Sequence, residues 1–304
     1  MGLTAPAPLT IRGRELRFGE RTYVMGIVNV TPDSFSGDGL LGGLASPVEA
    51  AVAQALTMVA QGADVIDIGG ESTRPGHDPV DSGQELDRVG DVVRGIRARL
   101  PTLPISIDTS KPLVAEAALE AGADIVNDVA AVTARSALGR VAAAHDAPYI
   151  LMHSRDRPVY EDLVPEVEED LRQAIRSAEA AGCDPDRLIV DPGIGFGKTA
   201  EQNLELLREL AALRVLGRPI LLGTSRKSTI GRVLDVPVGD RLEGTLATTA
   251  LGIAAGADIV RVHDVEANVR VARMSDAIIR GGWHDPDAPA VDSVDPDTPT
   301  PSRR

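Results

Sequence analysis

The chain carries one cysteine, Cys183, in 304 residues. No internal disulfide can form, and metal centres built from several thiolates are excluded. Aromatic residues make up only 2%, and Phe18, Phe35 and Phe196 are the only phenylalanines. Long apolar runs are also missing: no run approaches the roughly 20 residues that a membrane-crossing helix needs. No basic-plus-apolar leader is recognisable, so a cytoplasmic protein is expected. Positive charge is scarce, with 31 Lys and Arg against 45 Asp and Glu and a formal charge of -14. That balance argues against a nucleic-acid partner, which wants a basic face. It leaves room for an anionic small molecule, because a few local Lys and Arg residues can make a positive pocket.

What is present is a repeated alternation. Short Val/Ile-rich runs at 24–30, 64–69, 104–108, 124–128, 148–153, 187–191, 218–223 and 258–263 predict strands. Between them, helical spacing predicts helices near 47–61, 84–99, 111–121, 135–145, 165–181, 200–213, 241–255 and 265–280. Runs apolar on both faces belong to a parallel sheet buried on both sides. Eight strand–helix alternations point to a single-domain (β/α)8 barrel of the TIM type. A doubly wound sheet is the runner-up, but its glycine-rich dinucleotide loop is absent after the first strand. Several helices run into Gly-Ala-Asp (62–64, 122–124 and 256–258), where the glycine suits a left-handed cap. Residues 1–22 read as an extension, with Leu9-Thr10-Ile11 and Leu16-Arg17-Phe18 suggesting a hairpin under the barrel. The barrel is expected over 23–282, and the Pro/Asp/Ser/Thr-rich tail 283–304 is expected to be disordered.

In such barrels chemistry sits at the C-terminal ends of the strands. Those ends supply Asn29; Asp67 with Glu71-Ser72-Thr73-Arg74-Pro75; Asp108; Asn127-Asp128; Met152-His153; Asp191; Ser225-Arg226-Lys227-Ser228; and Arg261-Val262-His263. Helix caps and satisfied core polars explain one or two such residues, not a polar group at every strand. Asp108, Asn127 and Asp191 suit a flat heterocycle with amino and ring N–H donors, since a carboxylate accepts two parallel hydrogen bonds. Lys227, Arg261, Arg74 and His263 suit a phosphorylated or carboxylated ligand. Ser228 stands where a helix should begin, a setting that favours an anion. The run Gly193 to Thr199 imitates a phosphate loop, but Pro192 occupies the position of its first glycine. Its glycines are expected to let backbone pass close to a ligand. His145 and His77 read as surface residues, Glu166 to Asp170 as a solvated helix face, and His153 stays open between structural and site roles.

The segments MGIVNVTPDSF, DIGGESTRPG, SIDT, NDV, LMH, DPGIGFGKT, GTSRKS and RVHDV occur in this order at the strand ends. Together they resemble the dihydropteroate synthase family over roughly Val24 to Arg280. The resemblance implies a transferase of the non-methyl alkyl/aryl class. It would condense 6-hydroxymethyl-7,8-dihydropterin pyrophosphate with p-aminobenzoate to 7,8-dihydropteroate and pyrophosphate, by an SN1-like displacement in folate biosynthesis. It further implies Mg2+ as cofactor and a homodimer. Asp108, Asn127, Asp191 and Lys227 would hold the pterin, with Met152, Phe196 and Gly223 lining its slot. Asn29, Arg74, Arg261 and His263 would face the pyrophosphate, with Asn29 at the metal. Thr73, Pro75, Phe35, Lys227 and Ser228 would surround p-aminobenzoate. Asp108, Lys227, Arg261 and His263 would carry the catalysis. Two departures stand out: Gly37 is inserted and Leu40 replaces a glycine in the first loop, and Ser154-Arg155-Asp156-Arg157 follows LMH. A pterin-binding methyltransferase would share the Asp/Asn/Asp pocket but lack the TPDSF and SRKS segments, and a non-catalytic paralogue would have lost first-loop or cationic residues.

Overall fold

The computed structural model describes residues 5–30, 46–70, 82–132, 137–281 and 283. The chain opens with a two-stranded antiparallel hairpin, β1 (Leu9–Ile11) and β2 (Arg14–Leu16). Its two-residue turn, Arg12-Gly13, has positive φ at both positions (49° and 76°), the geometry that matches the twist of paired strands. An eight-stranded parallel sheet follows: β3 (Tyr23–Asn29), β4 (Val65–Gly69), β5 (Ile105–Asp108), β6 (Ile125–Asp128), β7 (Tyr149–Met152), β8 (Leu188–Asp191), β9 (Leu221–Leu222) and β10 (Ile259–Val262). Its order is β8-β7-β6-β5-β4-β3-β10-β9. A parallel bridge between Val190 and Ile220 joins the two outer strands, so the sheet closes on itself as a (β/α)8 barrel.

The outer ring contains α1 (Pro47–Ala60), α2 (Ser82–Arg99), α3 (Pro112–Ala121), α4 (Ala137–Ala144), α5 (Leu163–Ala180), α6 (Ala200–Arg208), α7 (Ser228–Leu234), α8 (Leu242–Ala254) and α9 (Val265–Ile279). Three features differ from the sequence expectation. Helix α7 begins at Ser228 as expected but is missing from the periodic spans, because seven residues are too few to show a repeat. The expected helix 200–213 breaks after Arg208 into a 3-10 stretch, Leu210–Leu216. Strand β9 shrinks to two residues, since Pro219 has no N–H for a ladder and the Ile220 N–H goes to the Asp258 side chain. The expected tail lies outside the described residues apart from Trp283.

Strand periodicity divides the core in two. Outward residues such as Ile66, Ile68, Ile107, Val126, Leu151, Val190 and Val260 pack beneath the helices. Inward residues Met25, Val65, Ile125, Ile150, Ile189, Leu221 and Ile259 form an apolar floor together with Leu9, Ile11, Leu16 and Phe18 of the hairpin segment. Two residues further along each strand, on the same inward face, stand Ile27, Asp67, Asn127, Met152, Asp191, Gly223 and Arg261. The barrel interior therefore changes from hydrocarbon to hydrogen-bonding groups within one strand repeat.

The Gly-Ala-Asp turns hold the opposite end. Gly62, Gly122 and Gly256 have φ of 105°, 114° and 102°. The aspartate that follows each caps a neighbouring strand: Asp64 accepts from Val24 N–H at 2.9 Å, Asp124 from Ile105 N–H at 2.9 Å, and Asp258 from Ile220 N–H at 3.1 Å. Phe18 closes the floor edge-on against Tyr23, with ring centroids 5.9 Å apart. Phe18→Ala should cost about 3–5 kcal/mol, read as a lower urea midpoint with unchanged slope.

Candidate active site

The polar level of the barrel is organised around Arg261 at the end of β10. Its Nε donates to Asp67 Oδ2 at 2.6 Å, and its Nη2 donates to Asp108 Oδ2 at 2.6 Å. Asn127 Nδ2 donates to the same Asp67 oxygen at 3.2 Å. Four strand ends are thus tied by one hydrogen-bonded cluster. Burial alone would pull the Arg261 pKa down, but Asp67 and Asp108 outweigh it, and the guanidinium ends above its ordinary value. Asp108 moves the other way: burial raises its pKa to about 7, Arg261 opposes this, and the neighbouring charge of Asp67 adds to it. Asp67 Oδ1 and Asp108 Oδ1 are buried without a hydrogen-bond partner among the described residues. Two carboxylate acceptors are left in this way for N–H donors of a ligand.

Across the mouth lie Asp191 and Lys227. Asp191 is buried at the end of β8, and Gly193 N–H donates to its Oδ1 at 2.7 Å. Burial raises its pKa against the opposing pull of Lys227. Lys227 Nζ donates to the Ile194 carbonyl and stands 4.5 Å from the Phe196 ring centroid. Burial lowers its pKa to about 8, with Asp191 resisting the shift. At Gly223, between these two clusters, a Cβ would meet nothing closer than Arg261 Cβ at 3.8 Å and Asp191 Oδ2 at 3.9 Å. The missing side chain leaves Asp191 and Arg261 as the nearest neighbours on the inward face, with Asn127 and Met152 at the same level of the barrel.

His263 lies on the rim after β10. Ser225 Oγ accepts its backbone N–H at 3.1 Å and is 2.9 Å from its Nδ1. With the hydroxyl donating to Nδ1, the neutral ring carries its proton on Nε2. Ser228 is exposed at the first turn of α7, and Asn29 is half-buried at the end of β3. Phe35, Thr73, Arg74, Pro75 and His77 lie outside the described residues. Arg261 has Nε and Nη2 committed to carboxylates inside the barrel.

The glycine-rich segment after β8 also departs from expectation. A Cβ on Gly193 would lie 1.8 Å from the His153 carbonyl oxygen, and one on Gly197 would lie 2.0 Å from that of Arg155. These glycines admit close approach to the chain after β7, not to a ligand. His153 is fully buried behind this loop, with Nε2 3.0 Å from Asp170 Oδ2 and Nδ1 2.8 Å from Lys198 Nζ. Burial and the nearby Lys198 lower its pKa to about 4. The run 166–170 is not merely a solvated face, because Arg155 pairs with Glu166 at 2.7 Å and with Asp170 at 2.8 Å. Sequence reasoning names Asp67 at its strand without giving it a ligand role, and passes over Lys198 and Asn203 as site components. The one available signal was a carboxylate in the middle of the buried strand 65–69.

Residues 25–263 match the family described as pterin binding enzyme. The dihydropteroate synthase of Clostridium beijerinckii is 48% identical over 273 residues, which is 90% of this chain and 100% of that protein. The chain belongs to the dihydropteroate synthase family. Among solved structures, the Clostridium difficile dihydropteroate synthase in the presence of pteroic acid superposes with a TM-score of 0.82 at 51% identity, over 86% of this chain and 98% of that one. The Xanthomonas albilineans dihydropteroate synthase with 4-aminobenzoic acid gives a TM-score of 0.84 at 44% identity, over 90% and 98% respectively. A family member thus places its polar cluster at the C-terminal mouth of the barrel, as the strand ends indicate.

The raised pKa of Asp108 has a signed consequence. Between about pH 4 and pH 7 an unfolded Asp is ionised while the folded one keeps its proton, so this group favours folding at low pH and its contribution is lost as pH rises through about 7. Asp108→Asn should flatten that part of the stability profile, measured by urea unfolding between about pH 5 and pH 8.

Proposed function

We propose that this chain catalyses the dihydropteroate synthase reaction. It joins 6-hydroxymethyl-7,8-dihydropterin pyrophosphate to p-aminobenzoate and releases 7,8-dihydropteroate and pyrophosphate. The observation that carries this reading is the buried Asp67–Arg261–Asp108–Asn127 cluster facing Asp191 and Lys227 across the Gly223 gap. A flat ring with several N–H donors satisfies the open acceptors Asp67 Oδ1 and Asp108 Oδ1. Asp191 and Asn127 supply further in-plane partners, and Met152 and Phe196 supply apolar contact.

Breaking the methylene–oxygen bond leaves positive charge on the pterin side and negative charge on pyrophosphate. Asp108, buried at the end of β5 and ionised above about pH 7, stabilises the first, an interaction stronger in a buried setting than in water. His263 Nε2–H, together with Arg74, meets the second. Lys227 and Ser228 border the side from which the amine of p-aminobenzoate attacks. The amine loses its proton after attack, and no covalent bond to the enzyme is required.

The residues also fit a magnesium ion. Asn29 offers a hard carboxamide oxygen at the mouth, and magnesium is commonly held by one or two protein oxygens plus substrate phosphates. Bound there, the ion neutralises charge on the pyrophosphate. Chelation should abolish pyrophosphate release and added Mg2+ should restore it. A homodimer and a cytoplasmic setting complete the proposal. Exposed Leu251 on α8 and Met274 and Ile278 on α9 support the first, and the lone buried thiol Cys183 is consistent with the second. Light scattering that reports a monomer would remove the dimer.

The deciding assay follows pyrophosphate release from the pterin substrate with and without p-aminobenzoate, and release that ignores the amine would refute the reading. Asp108→Asn should lower kcat on the order of 100-fold while changing pterin affinity far less. Equal losses in both would remove its charge-stabilising role.

A further inference from the structure

We propose that Lys198 is a positioning residue of this reaction: its half-buried amino group gathers the Gly193–Gly197 loop around itself and so fixes where Lys227, Phe196 and Asp191 meet the pterin. The inference rests on the functional reading above and concerns the same slot from behind.

An ammonium has three donors and no acceptor, and Lys198 Nζ meets three acceptors. It donates to the Gly193 carbonyl at 3.0 Å, to the Phe196 carbonyl at 3.0 Å and to His153 Nδ1 at 2.8 Å. None of the three is a carboxylate. Burying a cation on neutral acceptors is costly, so packing alone does not account for a lysine here. What the charge does accomplish is geometric, because two carbonyls three residues apart are turned onto one point.

The loop needs such a device. Gly193, Gly195 and Gly197 have φ of 65°, 84° and 56°, and glycine is the residue with the most conformational freedom to lose. Two further clamps act at other points: Tyr160 Oη donates to the Gly197 carbonyl at 3.0 Å, and Asn203 Oδ1 accepts the Gly195 N–H at 2.7 Å. The opposite side of the loop touches the slot. Its Ile194 carbonyl takes the Lys227 ammonium, its Phe196 ring lies against that ammonium, and its Gly193 N–H holds Asp191. Displacing the loop therefore shifts a cation, a ring and a carboxylate together.

His153 is oriented for this contact. Its Nε2 faces Asp170 Oδ2, which Arg155 Nε also holds at 2.8 Å. With Nε2–H donating to the carboxylate, Nδ1 presents a lone pair to Lys198. The Ser154-Arg155-Asp156-Arg157 departure thus includes the residue that anchors this relay.

The test uses the full-length enzyme. Lys198→Met should lower kcat/KM for the pterin substrate by about tenfold to hundredfold, mainly through a higher KM for pterin. Its melting temperature should fall by no more than a few degrees, because the loop carbonyls can turn to water while His153 Nδ1 loses its donor. In a double-mutant cycle with Phe196→Ala, the two losses should fail to multiply, since both act through the loop. His153→Asn, which keeps an acceptor near Nδ1, should retain more activity than His153→Leu. Wild-type activity in Lys198→Met, losses that multiply with Phe196→Ala, or a loss that merely follows a fall in melting temperature would each overturn the inference. If the wild-type enzyme releases no pyrophosphate, the functional reading falls instead. The loop inference is then decided by calorimetric titration of 6-hydroxymethylpterin, with weaker binding to Lys198→Met supporting it and equal binding overturning it.

Discussion

The salt-bridged pair of carboxylates on Arg261 is the constraint that shapes the rest of the barrel mouth. Asp67 and Asp108 stand on neighbouring strands and would repel each other if both were buried as anions. Arg261, arriving from β10 on the far side of β3, makes their joint burial tolerable. Removing one partner of such a group is far more damaging than replacing all of it with hydrocarbon. Its retention at the centre of a barrel therefore speaks for chemistry rather than for stability. The apolar floor and the capped turns beneath supply the stability that this polar level does not.

Support for the slot comes in successive layers. The inner one consists of strand-end side chains whose direction follows from the period of two. The next is the glycine-rich loop, which carries no reactive group but holds Asp191 and Lys227 in place. Behind it run Lys198, His153, Asp170 and Arg155, a chain of contacts reaching from the slot to the face of α5. Rigid outer layers are what keep polar groups aligned at distances where a fraction of an ångström matters.

Much of this was legible in the sequence. The eight strands are readable because their Val/Ile runs are short, evenly separated and bounded by turn residues. Asp108, Asn127, Asp191 and Lys227 are readable because a polar residue ending an apolar run has few structural explanations. Asp67 is named among the strand ends but its pairing escapes, because that depends on Arg261, 194 residues away in the chain. Lys198 escapes because a lysine beside glycines reads as a surface cation or a phosphate ligand, and only the folded loop shows its three acceptors. His153 could not be decided from its neighbours, because Asp170 and Lys198 reach it from two different segments. Helix α7 and the shortened β9 fall below the length at which periodicity carries a signal.

The hairpin below the barrel has a consequence for traffic. Leu9, Ile11, Leu16 and Phe18 are nearly inaccessible and lie against the first inward residues of the strands. They stop the lower end of the barrel axis with hydrocarbon. Passage along the axis from that side would have to displace this packing, so the floor is not a route to Asp108.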